Sequence, residues 1–296
     1  MRALAALLAV LAAGGNATAS VLERRVNREQ PDQAAMRWEL VARLVRQPLW
    51  LAGLGATTAS FLLQAAALGF GQLSMVQPIL ILELPMTLVI AARAFGNDLG
   101  RREWSAVAAM TAGLGALTVA AAPSGGSPVG LDALDWILGL GAAVGAVGVL
   151  VGAGVRAAAG ARATAYALAA GIGFGVTAAL MKAMDHALSD GVVDALAAWQ
   201  TWAMVVFGAF SMFLVQNAFQ AGRLVAAQPA VTLSDPLVAM IWGAALYHEH
   251  IRTGVWLGPE VAGALAIGWG AFRLAGSPAA SRREDRDQED PKVLAA

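Results

Sequence analysis

Apolar residues fall in runs of roughly twenty along the whole chain, separated by short polar or basic interruptions. That is the length a helix needs to cross about 30 Å of hydrocarbon at 1.5 Å rise per residue. The pattern predicts nine spans, at 2–22, 48–68, 72–92, 102–122, 133–155, 162–186, 194–216, 222–247 and 254–275. Gly and Ala recur inside them, which favours close backbone approach between helices in lipid. Two polar stretches stand apart. Residues 34–46 place Met36, Leu40, Val41 and Leu44 on one helical face, as an interfacial helix would. The charged tail at 277–296 is too poor in apolar residues to fold.

The basic residues orient this plan. With the loop 23–47 on the cytoplasmic side, 17 of the 20 Lys and Arg residues lie inside, leaving Arg2, Lys182 and Arg252 outside. The N-terminus is then outside and the C-terminus cytoplasmic. The first span has a rival reading as a secretory signal, since an Ala-Thr-Ala follows its apolar core. The apolar run continues past it into Val21-Leu22, which favours an uncleaved span.

The chain also resembles itself. Residues 61–64 read FLLQ and 213–216 read FLVQ; Gln77-Pro78 and Pro85 recur as Gln228-Pro229 and Pro236. The first span resembles the sixth when one gap is allowed. Spans one to four therefore correspond to six to nine, with the fifth as connector. An offset of five reverses the direction of crossing, which makes an inverted repeat of the kind used in alternating access. The expected fold is an all-α integral membrane protein of two inverted four-helix repeats, 1–122 and 161–276, joined by a connecting helix within 123–160.

Composition narrows the function classes. The chain is 58% hydrophobic and 14% charged, with zero net charge, so lipid is its main solvent and no bulk field invites nucleic acid. It has no cysteine, which excludes disulfides, thiolate metal sites and cysteine nucleophiles. Arg outnumbers Lys eighteen to two, and with the Ala and Gly excess this suggests a GC-rich bacterial origin. The expected location is the plasma membrane, and no cofactor or enzymatic site is indicated.

Candidate chemistry concentrates in the two proline-bearing spans. Pro78 and Pro85, and Pro229 and Pro236, each free a backbone carbonyl at membrane depth. Glu83 and Asp235 lie near the centres of the same spans, where a carboxylate costs roughly 2.5–3.5 kcal/mol to insert and calls for a proton, cation or water as partner. Gln64, Gln77, Gln216, Asn217 and Gln228 are repeat-related amides that either line a pathway or bridge helices, and Asn16 is a further polar group in span one. Lys182, near the outer end of span six, is expected to snorkel to the interface. His248-Glu249-His250 offers adjacent metal-ligand types without a further ligand, and Glu249 joins an acidic outer surface.

The nine-span plan, the segment from Pro48 to Pro85, the run leading to Lys182 and the FLVQNAF…QPAVTLSDP stretch together resemble the drug/metabolite transporter superfamily. The likeness is strongest to its EamA-like permeases and NIPA-type magnesium transporters. Trp50, Gly53, Gln64, Ala66, Gln77, Pro78, Asp98 and Gly113 occupy the first set of motif positions; Gln216, Asn217, Ala218, Pro229, Glu249 and Gly263 occupy the second. Where the magnesium branch carries Gly-Glu in its second helix, this chain has Ala59-Ser60. The resemblance implies a transporter of a small polar or amphiphilic metabolite, and the midplane carboxylates Glu83 and Asp235 point to proton coupling or a cationic substrate. Magnesium or another divalent cation is the alternative cargo, and a non-transporting scaffold a second alternative. The expected partners are the bilayer, the transported solute and, as one option, a second copy in a homodimer.

Overall fold

Each apolar run is long enough to satisfy its own backbone only as a helix, since lipid offers no hydrogen-bond partner. The computed structural model describes residues 1–27, 48–94, 99–126, 131–221 and 224–275; the expected interfacial helix at 34–46 and the tail after 277 lie outside them. The helices are α1 (Arg2–Asn27), α2 (Pro48–Phe70), α3 (Leu73–Leu80), α4 (Glu83–Ala94), α5 (Arg101–Ala121), α6 (Ala133–Arg156), α7 (Ala159–Asp190), α8 (Val192–Ala197), α9 (Trp199–Ala221), α10 (Leu224–Ala245) and α11 (Leu257–Ala275). Eight helical stretches among the described residues are long and apolar enough to cross a membrane, taking α3 and α4 together as one. In α10 the apolar helical stretch runs from Ala230 to Ala245. The protein is an all-α, multi-pass membrane protein.

The two proline-bearing spans differ. The first is broken: α3 ends at Leu80, Ile81 and Leu82 form a turn, and α4 begins at Glu83. Through the break, Ile81, Leu82 and Leu84 donate to the carbonyls of Pro78, Ile79 and Ile81, each at 3.1 Å, before the α pitch resumes at Met86. These three-residue closures are the tighter 3₁₀ kind. Pro85 has no N–H to give Ile81, so Leu84 supplies that bond instead. The second span, with the same proline spacing, is continuous as α10.

Packing relies on small residues. Helix α1 lies along α2, α7 runs between α9 and α10, and α5 lies along α11. At the last crossing a Cβ on Gly113 would stand 2.6 Å from the Gly263 carbonyl oxygen, and the reverse holds at the same distance. Only glycine at both positions permits that approach. The core gathers Leu68, Leu73, Val76, Val176, Leu180 and Tyr247, all fully buried. Leu134, Ile137, Leu138, Val144 and Val149 of α6 are exposed, as residues facing lipid would be.

A small sheet departs from the all-helical expectation. Strand β1 (Ser124–Gly125) pairs antiparallel with β2 (Glu249–His250), Ser124 opposite His250 and Gly125 opposite Glu249. The α2–α3 turn, the C-terminal part of α7 and both strands share one end of the bundle.

Candidate functional site

Among the described residues, two polar clusters lie within the apolar bundle. The first forms around the break. Glu83 is the first residue of α4, where the partial positive charge of a helix start favours a carboxylate. The side-chain amide of Asn16, on α1, faces this carboxylate closely enough to act on it. Asp235, on α10, lies close enough for the charge of Glu83 to act on it. Its Oδ1 is sealed from solvent and has no hydrogen-bond partner among the described residues. Helix α7 presses α10 into place here: a Cβ on Gly175 would come within 2.9 Å of the Asp235 carbonyl oxygen. Three polar residues from α1, α4 and α10 thus converge at membrane depth. An adjacent narrow crevice is wholly apolar, lined by Ile81, Leu117, Leu233, Pro236, Met240 and Ile267.

The other candidate positions divide. Pro78 and Pro85 are buried on either side of the break, and Pro236 is buried next to Asp235. Gln77 is buried on α3, its Nε2 without a partner among the described residues. Gln64 is half-buried on α2 and Gln216 is exposed on α9. Asn217 gives its Nδ2 to the Phe213 carbonyl of its own helix at 2.7 Å, which occupies one of the two donor hydrogens of that amide. Gln228 and Pro229 lie in α10, but their side chains fall outside the described ones.

The second cluster was not anticipated. Lys182 does not snorkel, and Glu249 does not face the outside; their side chains are 7% and 0% exposed and pair at 2.7 Å. The Lys182 ammonium also donates to the Gly71 carbonyl at 3.1 Å. Glu249 accepts the Leu73 N–H on Oε1 at 2.7 Å and the Ser74 N–H on Oε2 at 2.9 Å. Its carboxylate therefore satisfies the first amides of α3, donors that a helix cannot pair internally. Tyr247 lies beneath, its hydroxyl donating to the Ala179 carbonyl at 2.6 Å and its ring 5.5 Å from the Lys182 nitrogen. Trp136 packs edge-on against both Tyr247 and Trp199.

Strand geometry explains the error over Glu249. Successive side chains in an extended segment point to opposite faces. Glu249 and His250 are the two residues of β2, so one turns inward and the other is exposed, while His248 precedes the strand in the left-handed region at φ 54°. A two-residue strand leaves no alternation in the sequence to read. The metal reading of the tripeptide gains nothing, since the described residues hold no group of three or more His, Cys, Asp or Glu placed to bind an ion.

No protein-family profile matches the chain. It is similar to an uncharacterized protein of Corynebacterium glutamicum, 28% identical over 255 residues, covering 86% of this chain and 88% of that one. No solved structure matches it.

Proposed function

We propose that the protein is a membrane transporter working by alternating access, of the drug/metabolite transporter type, with Glu83 and Asp235 as its ion-linked centre. The observation that carries this reading is the convergence of the two carboxylates and Asn16 at the break between α3 and α4, inside an apolar bundle. Two carboxylates brought together in a low-dielectric setting cannot both keep an unpaired charge, so the pair takes up a proton or a cation. A broken helix supplies the hinge at the same point.

Further support comes from the way the halves pack. Helix α1 runs along α2 as α7 runs along α9; α1 meets α3 and α4 as α7 meets α10; α5 lies on α11. This is the contact pattern expected of two repeats related by a two-fold axis in the membrane plane. On this reading nine spans cross the plasma membrane, with the N-terminus outside, and the end carrying Lys182 and Glu249 is the outer one. The cargo is a small polar or amphiphilic solute moved against a proton. A divalent cation is the second reading, favoured by the unpartnered Asp235 Oδ1, a hard oxygen of the type Mg²⁺ prefers.

Proteoliposomes test both. Wild-type protein should support solute-dependent proton flux, read by an internal pH dye, across a panel of polar and amphiphilic solutes; Glu83→Gln and Asp235→Asn should each lose it. A magnesium-sensitive dye tests the second reading in the same vesicles. Full flux in both variants would remove the carboxylate pair from the mechanism.

A further inference from the structure

The Lys182–Glu249 cluster joins two parts of the chain in an unequal way. Lys182 on α7, Glu249 on β2 and Tyr247 are tied to each other and to α7, all in the C-terminal half. Their guest is the turn from Gly71 to Ser74 in the N-terminal half. The ammonium holds the Gly71 carbonyl, and the carboxylate holds the Leu73 and Ser74 amides. These polar groups grip the turn from both sides. Beside them, β1, which directly follows the N-terminal repeat, pairs with β2 of the C-terminal half through two residues on each side, far short of a ribbon stable alone.

From this arrangement we infer that Lys182 and Glu249 form a clamp whose release of the Gly71–Ser74 turn opens this end of the bundle. The inference rests on the alternating-access reading. Release suits the chemistry of the parts. The groups let go are the first amides of a helix and a turn carbonyl, all of which water can satisfy. The two charged groups keep each other, so neither is left as an unpaired buried charge in the open state. Helix α3, only eight residues long, lies between the clamp at one end and the break at the other. Movement at the clamp is therefore delivered directly to the break, where Glu83 begins α4.

The chain contains no cysteine, so an introduced thiol has no native competitor. Ser74, 2% exposed and held by the clamp, is the reporter position. Ser74→Cys in lipid nanodiscs should react slowly with a water-soluble maleimide, in proportion to the time the clamp is open. Adding Lys182→Met and Glu249→Gln together should speed the reaction by about tenfold or more, because the turn loses the ammonium and the charged acceptor that hold it closed while no unpaired charge is left in either state. Ser124 and His250 face each other across β1 and β2. Directly opposed residues have Cβ atoms about 4.5–5.5 Å apart, close enough for a disulfide after a small adjustment. Oxidised Ser124→Cys/His250→Cys should slow labelling of the Ser74→Cys reporter by about tenfold or more, against a typical coupling of 5–150-fold. Reductant should reverse it, with the peptide bearing position 74 resolved by mass spectrometry from the two released thiols.

Labelling that neither the disulfide nor the Lys182→Met/Glu249→Gln double variant alters would overturn the clamp. Should that double variant fail to fold, the disulfide arm decides alone, since it leaves Lys182 and Glu249 intact. Flux assays on the same proteins separate the two ideas. Clamp-dependent labelling without flux of any solute or ion sinks the transport reading and keeps the clamp. Undiminished flux with the disulfide closed sinks the clamp and keeps transport.

Discussion

Removing Lys182 and Glu249 singly and together should show that each is tolerated mainly because of the other. In Glu249→Gln the shape is kept but the charge goes. A carboxamide has one acceptor oxygen, so it cannot receive both the Leu73 and Ser74 amides as the carboxylate does at 2.7 and 2.9 Å. One amide loses its partner, at about 1–3 kcal/mol. Lys182 is left buried with only the Gly71 carbonyl at 3.1 Å. Together these place the loss near the range of about 3–5 kcal/mol found for breaking buried pairs. Lys182→Met strands less, because Glu249 keeps its two amide donors and the favourable field at the start of α3; the lower end of that range, about 3 kcal/mol, is expected. The double variant removes both charges, leaving an apolar Met beside a neutral carboxamide, so no buried charge is stranded. It should lose well under the sum, leaving a coupling of about 1.5–3 kcal/mol. Equilibrium unfolding by SDS titration in mixed micelles measures all four corners of this cycle. Additivity to within about 0.5 kcal/mol would refute the argument, because independent residues could not be sharing the carboxylate oxygens described here.

Gly175→Ala puts a Cβ 2.8 Å from the Val238 Cβ and 2.9 Å from the Asp235 carbonyl oxygen, so the same titration should show a loss of about 1–3 kcal/mol. Gly148→Ala on α6 has no atom within 4 Å of the added carbon and should be neutral or gain up to about 1 kcal/mol of helix propensity; a loss equal to that of Gly175→Ala would contradict the packing. Tyr247→Phe removes a 2.6 Å hydrogen bond to Ala179 and should cost about 0.5–1.5 kcal/mol while leaving the fold intact by circular dichroism. Asn16→Ala removes the polar side chain beside Glu83 and should lower proton flux in proteoliposomes by about tenfold, the equivalent of ~1.4 kcal/mol; wild-type flux would remove Asn16 from the site.

Sequence alone places this chain in lipid, because runs of about twenty apolar residues have no other stable solvent. It also marks Glu83, Asp235 and Asn16 as polar groups at depth and the proline-bearing spans as the place to look, since burial cost and missing N–H groups are properties of single residues. Three things needed the three-dimensional fold. Pro78 and Pro85 break their span while Pro236 sits in a continuous helix, although the spacing is the same; the difference lies in backbone bonding around Ile81, which sequence does not record. The meeting of Glu83 with Asn16 and Asp235 depends on how α1, α4 and α10 cross, and residues so far apart in sequence carry no local signature of contact. Lys182 and Glu249 are expected at the surface from sequence and found inside, because a charge near the end of an apolar run can either snorkel or turn inward. Which it does is decided by whether a partner of opposite charge waits inside, and here that partner lies 67 residues away along the chain.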